Sequence, residues 1–137
     1  MYTKSKETTQ SILDAARALF TERQFAAVTI NDIAAYCNIS KGALYHHFSG
    51  KEDIYLNMMH QNLAQIKELS EHAMTESQGS CRVRLHASRL NFLELPDDLL
   101  RVLGLVRRDI NIFKDPIRTE LIQAYQAAIP LLVESII

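Results

Sequence analysis

Twenty residues, Thr29 to Phe48, leave this chain little conformational choice: TINDIAAYCN ISKGALYHHF. Thr29 is a preferred helix N-cap, and Asp32 stands three residues on, a capping-box-like pair. Ile30, Ile33, Ala34 and Cys37 then share one helical face, and Ala34 is small enough for a second helix to cross closely. The chain must next turn sharply. Asn38 stands at the turn, and Asn is the usual residue after Gly for a left-handed backbone. Ile39 is expected to tuck under the turn. Ser40 can cap a second helix, from Lys41 to about Phe48, with Leu44 and Phe48 inward. The pattern predicts a helix-turn-helix over about residues 29–48.

The outward face of the second helix carries Lys41, Gly42, Ala43, Tyr45 and His46. Small residues come first, then aromatic rings bearing polar groups. A helix that enters a DNA major groove needs such a face, because small residues let the backbone approach and donors meet phosphates and base edges. Ser49-Gly50-Lys51-Glu52 reads as a further capping box, with Lys51 in the first turn of the next helix. A helix N-terminus with a Lys suits an anion such as a DNA phosphate.

The segment TINDIAAYCNISKGALYHHFSGKEDIY, with ILDAARALF upstream, resembles the DNA-binding segment of the TetR (tetracycline-repressor-like) transcription regulators. The likeness runs from about Thr8 to Tyr55. SKGALYHHFSGKEDIY is its most specific part, since turn, groove-facing helix and following helix start keep the family's spacing. The resemblance implies phosphate contacts by Tyr45, His47 and Lys51, and an approach to the bases by Lys41, Gly42, Ala43 and His46. Thr29 and Ser40, at the starts of the two helices, complete the expected DNA-binding set. Gln24 stands where the family usually has Gly, so a local difference is expected at the end of the first helix. Family members also continue into further helices beyond the point where this sequence stops.

Net charge is −1, which alone does not favour a DNA binder. Its distribution helps: residues 1–51 carry +2 and residues 52–137 carry −3. Binding would then rest on a few placed contacts, duplicated in a homodimer, and not on a broad basic surface. Hydrophobic residues make up 47% and charged ones 23%, which fits a packed protein and argues against disorder. No apolar run approaches the ~20 residues of a membrane span, and MYTKSKETTQ lacks the apolar core of a secretion signal. Cys37 and Cys81 form neither a disulfide framework nor a zinc spacing, so a reduced, cytoplasmic setting is expected, with Cys37 as a small buried hydrophobe.

The rest reads as helix throughout, with no strand pattern. Residues 1–7 are expected to be a mobile arm whose Lys4 and Lys6 could touch DNA backbone. A first helix, about Thr8 to Glu22, has the stripe Ile12, Ala16, Leu19 and Phe20, with Phe25 and Val28 closing the gap to the helix-turn-helix. From Lys51 to about Met74, Tyr55, Met59, Leu63, Ile66 and Ala73 keep a near-3.6 period without Gly or Pro. That helix would link the DNA-binding domain, 1–52, to a second domain, 53–137. Thr75 to Ser80 has loop composition. Three helices should follow: about Cys81 to Leu95, with Val83, Ala87, Leu90 and Leu93 inward; one from Asp97-Asp98, with Leu99, Leu103, Val106, Ile110 and Phe113 inward; and one opened by Asp115 as cap and Pro116 at the first helical position. The stripe of the last is Leu121 or Ile122, Tyr125, Ile129, Leu132 and Ile136, kinked at Pro130. An apolar helix face stopping at Ile137 suggests either a chain truncated at its C-terminus or a short family member, which bears on how it dimerises.

No glycine-rich phosphate loop or nucleophile elbow is present. His46-His47 are adjacent, point about 100° apart on a helix, and have no further ligand at zinc spacing. His60 and His86 read as ordinary core or surface groups, and Arg107-Arg108-Asp109 as a solvated face or a salt bridge worth little energetically. No catalytic residue, metal site or cofactor is expected. Pockets between helices are common ligand sites, and Phe92, Leu99, Leu103, Val106, Phe113 and Tyr125 could line one, although each also suits plain core packing. The family resemblance implies an unidentified small-molecule effector bound there. The reading is an all-α regulator: an N-terminal three-helix DNA-binding domain joined by a long helix to a helical ligand and dimerisation domain. It would bind palindromic double-stranded operator DNA as a homodimer, as a repressor released by its effector. A DNA-binding architectural protein without an effector, or an interaction module reusing the fold, are the alternatives.

Overall fold

The computed structural model describes residues 2–76, 79–80 and 95–128. Its elements are α1 (Tyr2–Glu22), a 3-10 turn (Phe25–Ala27), α2 (Ile30–Cys37), α3 (Lys41–His47), α4 (Lys51–Glu76), α5 (Asp97–Asp109) and α6 (Ile117–Ala128). Among the described residues the secondary structure is wholly helical, as the apolar spacing predicts. The chain divides into two compact units, Met1–Met59 and His60–Ile137, and the division falls inside α4.

In the first unit, α1 lies against α2, and α2 against α3. Ile12, Ala16, Leu19 and Phe20 are buried, as are Val28, Ile33, Ala34, Leu44 and Phe48. Three aromatic rings tie separate elements together. Phe20 of α1 stacks on Phe25 at 5.5 Å between centroids, and Tyr55 of α4 meets both rings edge-on at 5.2 and 5.4 Å. Such pairs each add about 0.5–1.5 kcal/mol beyond the area they bury. Ile54, Met58 and Met59 of α4 complete this core.

In the second unit, Leu63 and Ile66 of α4 are buried, with Leu95 and, on α5, Leu99, Val102, Leu103, Leu105 and Val106. The buried face of α5 is thus wider than the expected stripe, while Ile110 at its end is only half-buried. Phe113 follows, and α6 packs on α5 with Leu121 and Ala128 inward. His60 of α4 pairs with Glu120 of α6 at 2.9 Å, on the surface.

Several expectations are corrected. Residues 2–7 are not a separate arm, since α1 begins at Tyr2; the segment lacks Gly and Pro, and the Thr9 hydroxyl bonds back to the Ser5 carbonyl at 2.9 Å within the helix. Thr75 and Glu76 belong to α4, which nothing in their side-chain chemistry forbids. The carboxylate that reaches back at the start of α4 is Asp53, accepting the Ser49 amide at 2.9 Å, in place of Glu52. The reason is that α4 begins at Lys51, so Asp53 occupies its third position. Likewise α6 starts at Ile117, one residue after Pro116, and the Asp115 carboxylate accepts the Thr119 hydroxyl at 2.6 Å. Cys37 is half-buried, its thiol donating to the Ser11 carbonyl at 3.3 Å. Burial, with the charge of Asp14 adding, pushes that thiol above its ordinary range.

Of the solvated face or salt bridge expected at Arg107-Arg108-Asp109, the structure has the salt bridge, with its carboxylate unexpectedly buried. The carboxylate is that of Asp109. It is 1% exposed, and Arg108 grips it through Nε and Nη2, both at 2.8 Å. A carboxylate at a helix C-terminus meets the negative end of the helix dipole, and the paired guanidinium offsets this. The helix expected over 81–95 lies outside the described residues except for Leu95, which sits in a bend; the kink at Pro130 and the stripe beyond Ala128 lie outside them too.

Candidate nucleic-acid interface

The helix-turn-helix is fixed by local hydrogen bonds that the sequence spells out. Thr29 adopts extended backbone, its hydroxyl accepts the Asp32 amide at 3.1 Å, and the Asp32 carboxylate accepts the Thr29 amide at 3.0 Å. This is a full capping box. The Thr29 amide first, then its hydroxyl, hold the Asp32 carboxyl below its ordinary range, with the Arg23 guanidinium 3.6 Å away adding to this. Asn38 is left-handed, at φ 57° and ψ 44°. Its amide reaches the Ala35 carbonyl at 3.1 Å and the Ile39 amide reaches the Ala34 carbonyl at 3.0 Å. Those two bonds form a Schellman motif, closing the end of α2. Ser40 then accepts the Ala43 amide at 3.1 Å and starts α3. Two short helices are thereby held at a fixed turn, with no residue to spare.

The turn decides what α3 presents. Leu44 is fully buried, and Phe48 plugs the end of the helix. Lys41, Gly42, Tyr45 and His46 are exposed, Ala43 and His47 half-buried. Tyr45 is 47% exposed, a large ring left in solvent. Gly42 has helical backbone, and a Cβ built there would meet nothing within 4 Å. Its glycine is therefore not demanded by the fold. Thr29 and Ser40 are also exposed, at the starts of α2 and α3.

Two of the expected phosphate-binding residues have partners within the protein. The Lys51 ammonium donates to the Phe25 carbonyl at 2.8 Å and lies 4.1 Å over the Phe25 ring. Lys51 thus fastens the 3-10 turn to the start of α4, leaving two of its N–H donors. The His47 Nδ1 lies 3.0 Å from the Thr9 hydroxyl of α1. Gln24 has φ −65° and ψ 152°, ordinary extended backbone, so Gln serves where the family usually has Gly.

Sequence reasoning passed over Tyr36, which is 62% exposed on α2. The signal was available, because Tyr36 falls off the apolar face set by Ile33 and Ala34. The links of Thr9 to His47 and of Phe25 to Lys51 carry no sequence signal of their own. Among the residues considered for a ligand pocket, Leu99, Leu103, Val106 and Phe113 are buried in the second unit, Tyr125 is half-buried, and Phe92 lies outside the described residues. No group of three or more His, Cys, Asp or Glu among the described residues is placed to hold a metal ion. No described helix is long and apolar enough to cross a membrane.

Residues 12–58 match the family model for bacterial regulatory proteins of the tetR family. The chain is similar to the transposon Tn10 TetC protein of Escherichia coli, with 39% identity over 61 residues, 44% of this chain and 31% of that protein. It spans well under half the length of the curated relatives it matches, as those shares for TetC illustrate. Its fold is similar to a TetR family transcription regulator from Marinobacter aquaeolei VT8, at a TM-score of 0.78 and 14% identity, over 98% of this chain and 71% of that one. It is also similar to AibR, solved in complex with isovaleryl coenzyme A and operator DNA, at a TM-score of 0.76 and 19% identity, over 93% of this chain and 69% of that one. The family match therefore lies on the helix-turn-helix unit, residues 12–58, and it is there that the chain is similar to bacterial regulatory proteins of the tetR family.

Proposed function

We propose that the chain binds operator DNA by laying α3 in a major groove, as one half of a homodimer on a near-palindromic site. The observation that carries this reading is the exposed face of α3. Gly42 is a glycine the fold does not require, and it stands beside exposed Lys41 and His46. A bare backbone flanked by donors suits close approach to another surface, and a groove floor with its phosphate walls is such a surface. In this reading Lys41, Gly42, Ala43 and His46 approach base edges. Tyr45, His47 and Lys51 contact phosphates, with Thr29 and Ser40 beside them at the helix starts.

The second unit would bind a small-molecule effector that releases the DNA. The support is the family and the fold shared with AibR, whose structure holds both isovaleryl coenzyme A and operator DNA. The apolar side chains of α5 suit a pocket wall as well as a packed core. A cytoplasmic repressor is the setting this reading implies.

Selection from random DNA duplexes tests the DNA reading. The full chain should enrich a site with two half-sites roughly one helical turn, about 34–36 Å, apart. His46→Ala should change the preferred bases without abolishing binding. Recovery of no site by the wild-type chain, or of the same site by His46→Ala, would remove α3 or His46 respectively from the reading surface.

A further inference from the structure

We propose that Thr9 of α1 is a positioning residue that fixes the tautomer of His47 and so decides which kind of group α3 offers to DNA. The Thr9 oxygen lies 2.9 Å from the Ser5 carbonyl oxygen and 3.0 Å from His47 Nδ1. A hydroxyl has a single proton and a carbonyl oxygen can only accept. With the Thr9 proton placed on the shorter contact, to the Ser5 carbonyl, the hydroxyl accepts from His47. In that arrangement His47 donates from Nδ1, which carries the proton. In the neutral ring Nε2 is left as a bare lone pair.

That constraint has a consequence at a DNA surface, and here the inference rests on the groove-binding reading. Among the described residues, Nε2 has no hydrogen-bond partner. A lone pair repels a phosphate oxygen, so the contact requires Nε2 to gain a proton. The ring then becomes an imidazolium that donates from both nitrogens, to Thr9 and to the phosphate. Each subunit would take up one proton on binding DNA. Without Thr9 the neutral ring could move its proton to Nε2 and donate with no proton uptake.

The charged and titratable groups on the surrounding elements leave this role to His47. On α1 these are Lys6, Glu7 and Asp14, and on α3 Lys41 and His46. On α2, Asp32 is engaged with Thr29. On α4, Lys51 is held by Phe25, Asp53 accepts the Ser49 amide, and Glu52 is exposed. None of these has a hydrogen bond or ion pair to the His47 ring among the described residues.

The decisive experiment needs no DNA. Long-range nitrogen-15 NMR of the full chain, at a pH where histidines are neutral, reads the tautomer directly. The wild type should have His47 as the Nδ1–H form, the one less favoured by imidazole in water. Thr9→Val should turn it to the Nε2–H form, and Thr9→Ser should restore Nδ1–H. A wild-type Nε2–H ring, or a Thr9→Val ring that stays Nδ1–H, would overturn the proposal. A second arm titrates the selected operator duplex between about pH 5 and 8, where imidazoles titrate. Wild-type affinity should fall with rising pH by a factor approaching about ten per unit for each proton taken up, and Thr9→Val should flatten that slope. Equal slopes in two variants that both bind would overturn the DNA step. A chain that binds no DNA would instead fail the groove reading, with the tautomer still decided by NMR.

Discussion

Residues 2–59 hold two helices of eight and seven residues, α2 and α3, and each end of both is closed by a group that can be named. Thr29 with Asp32 opens α2, Asn38 closes it, Ser40 opens α3 and Phe48 seals it. The described residues of the second unit are held differently. There α5 starts at Pro96 without any side-chain cap, and α6 starts at Ile117 with its nearest carboxylate turned to a hydroxyl. What secures α5 is a wide aliphatic face and one buried ion pair. Helices of two turns cannot nucleate alone in water, so their ends must be specified residue by residue. A longer helix with a wide apolar face is placed by burial, and its ends can be less explicit.

The sharpest break in this contrast should come from the ion pair. Arg108→Ala leaves the Asp109 carboxylate buried without its bidentate partner, and losing a partner of this kind costs about 3–5 kcal/mol. A thermal melt followed by circular dichroism should drop accordingly; a near-neutral result would mean that Asp109 is hydrated. The matching test in the first unit is Leu44→Ala, which opens a cavity under α3 and should cost about 2–5 kcal/mol. No loss there would mean that α3 is rotated from its present face. Next comes Thr29→Ala, which removes the cap and should cost roughly 1 kcal/mol. The same change should let the Asp32 carboxyl rise towards its ordinary range in an NMR titration. Asp32 titrates below its unfolded value, so its stabilising effect is complete above that value and is lost as pH falls through the folded one. An Asp32 titration that Thr29→Ala leaves unmoved would contradict the capping account.

The same contrast explains what could be read in advance. Thr29, Asp32, Asn38 and Ser40 act through bonds to residues three or four away, so their roles are legible in a linear chain. The core positions Phe20, Tyr55, Met59 and Leu63 were legible from periodicity. Asp109 was not, because its burial depends on the width of the α5 face and on a guanidinium that could equally have pointed to water. Lys51 was read as an outward cation, yet its ammonium lies on Phe25, 26 residues earlier in the chain. Thr9 and His47 meet across 38 residues, and neither has a local signature. The exposed face of α3 was legible once Leu44 and Phe48 fixed its rotation.

The measurement that tests the groove reading most directly is a pair of values on one variant, Gly42→Ala. Ala is the better helix former and its Cβ meets nothing in the fold, so stability should rise by roughly 0.5 kcal/mol, near the low end for a first-turn position. Operator affinity, read by fluorescence anisotropy on the same sample, should fall by about tenfold or more, some 1.4 kcal/mol, because the added methyl stands where DNA must approach. Higher stability with weaker binding is the predicted result. Higher stability with unchanged binding would contradict the account, since the backbone at Gly42 would then face nothing that needs to come close.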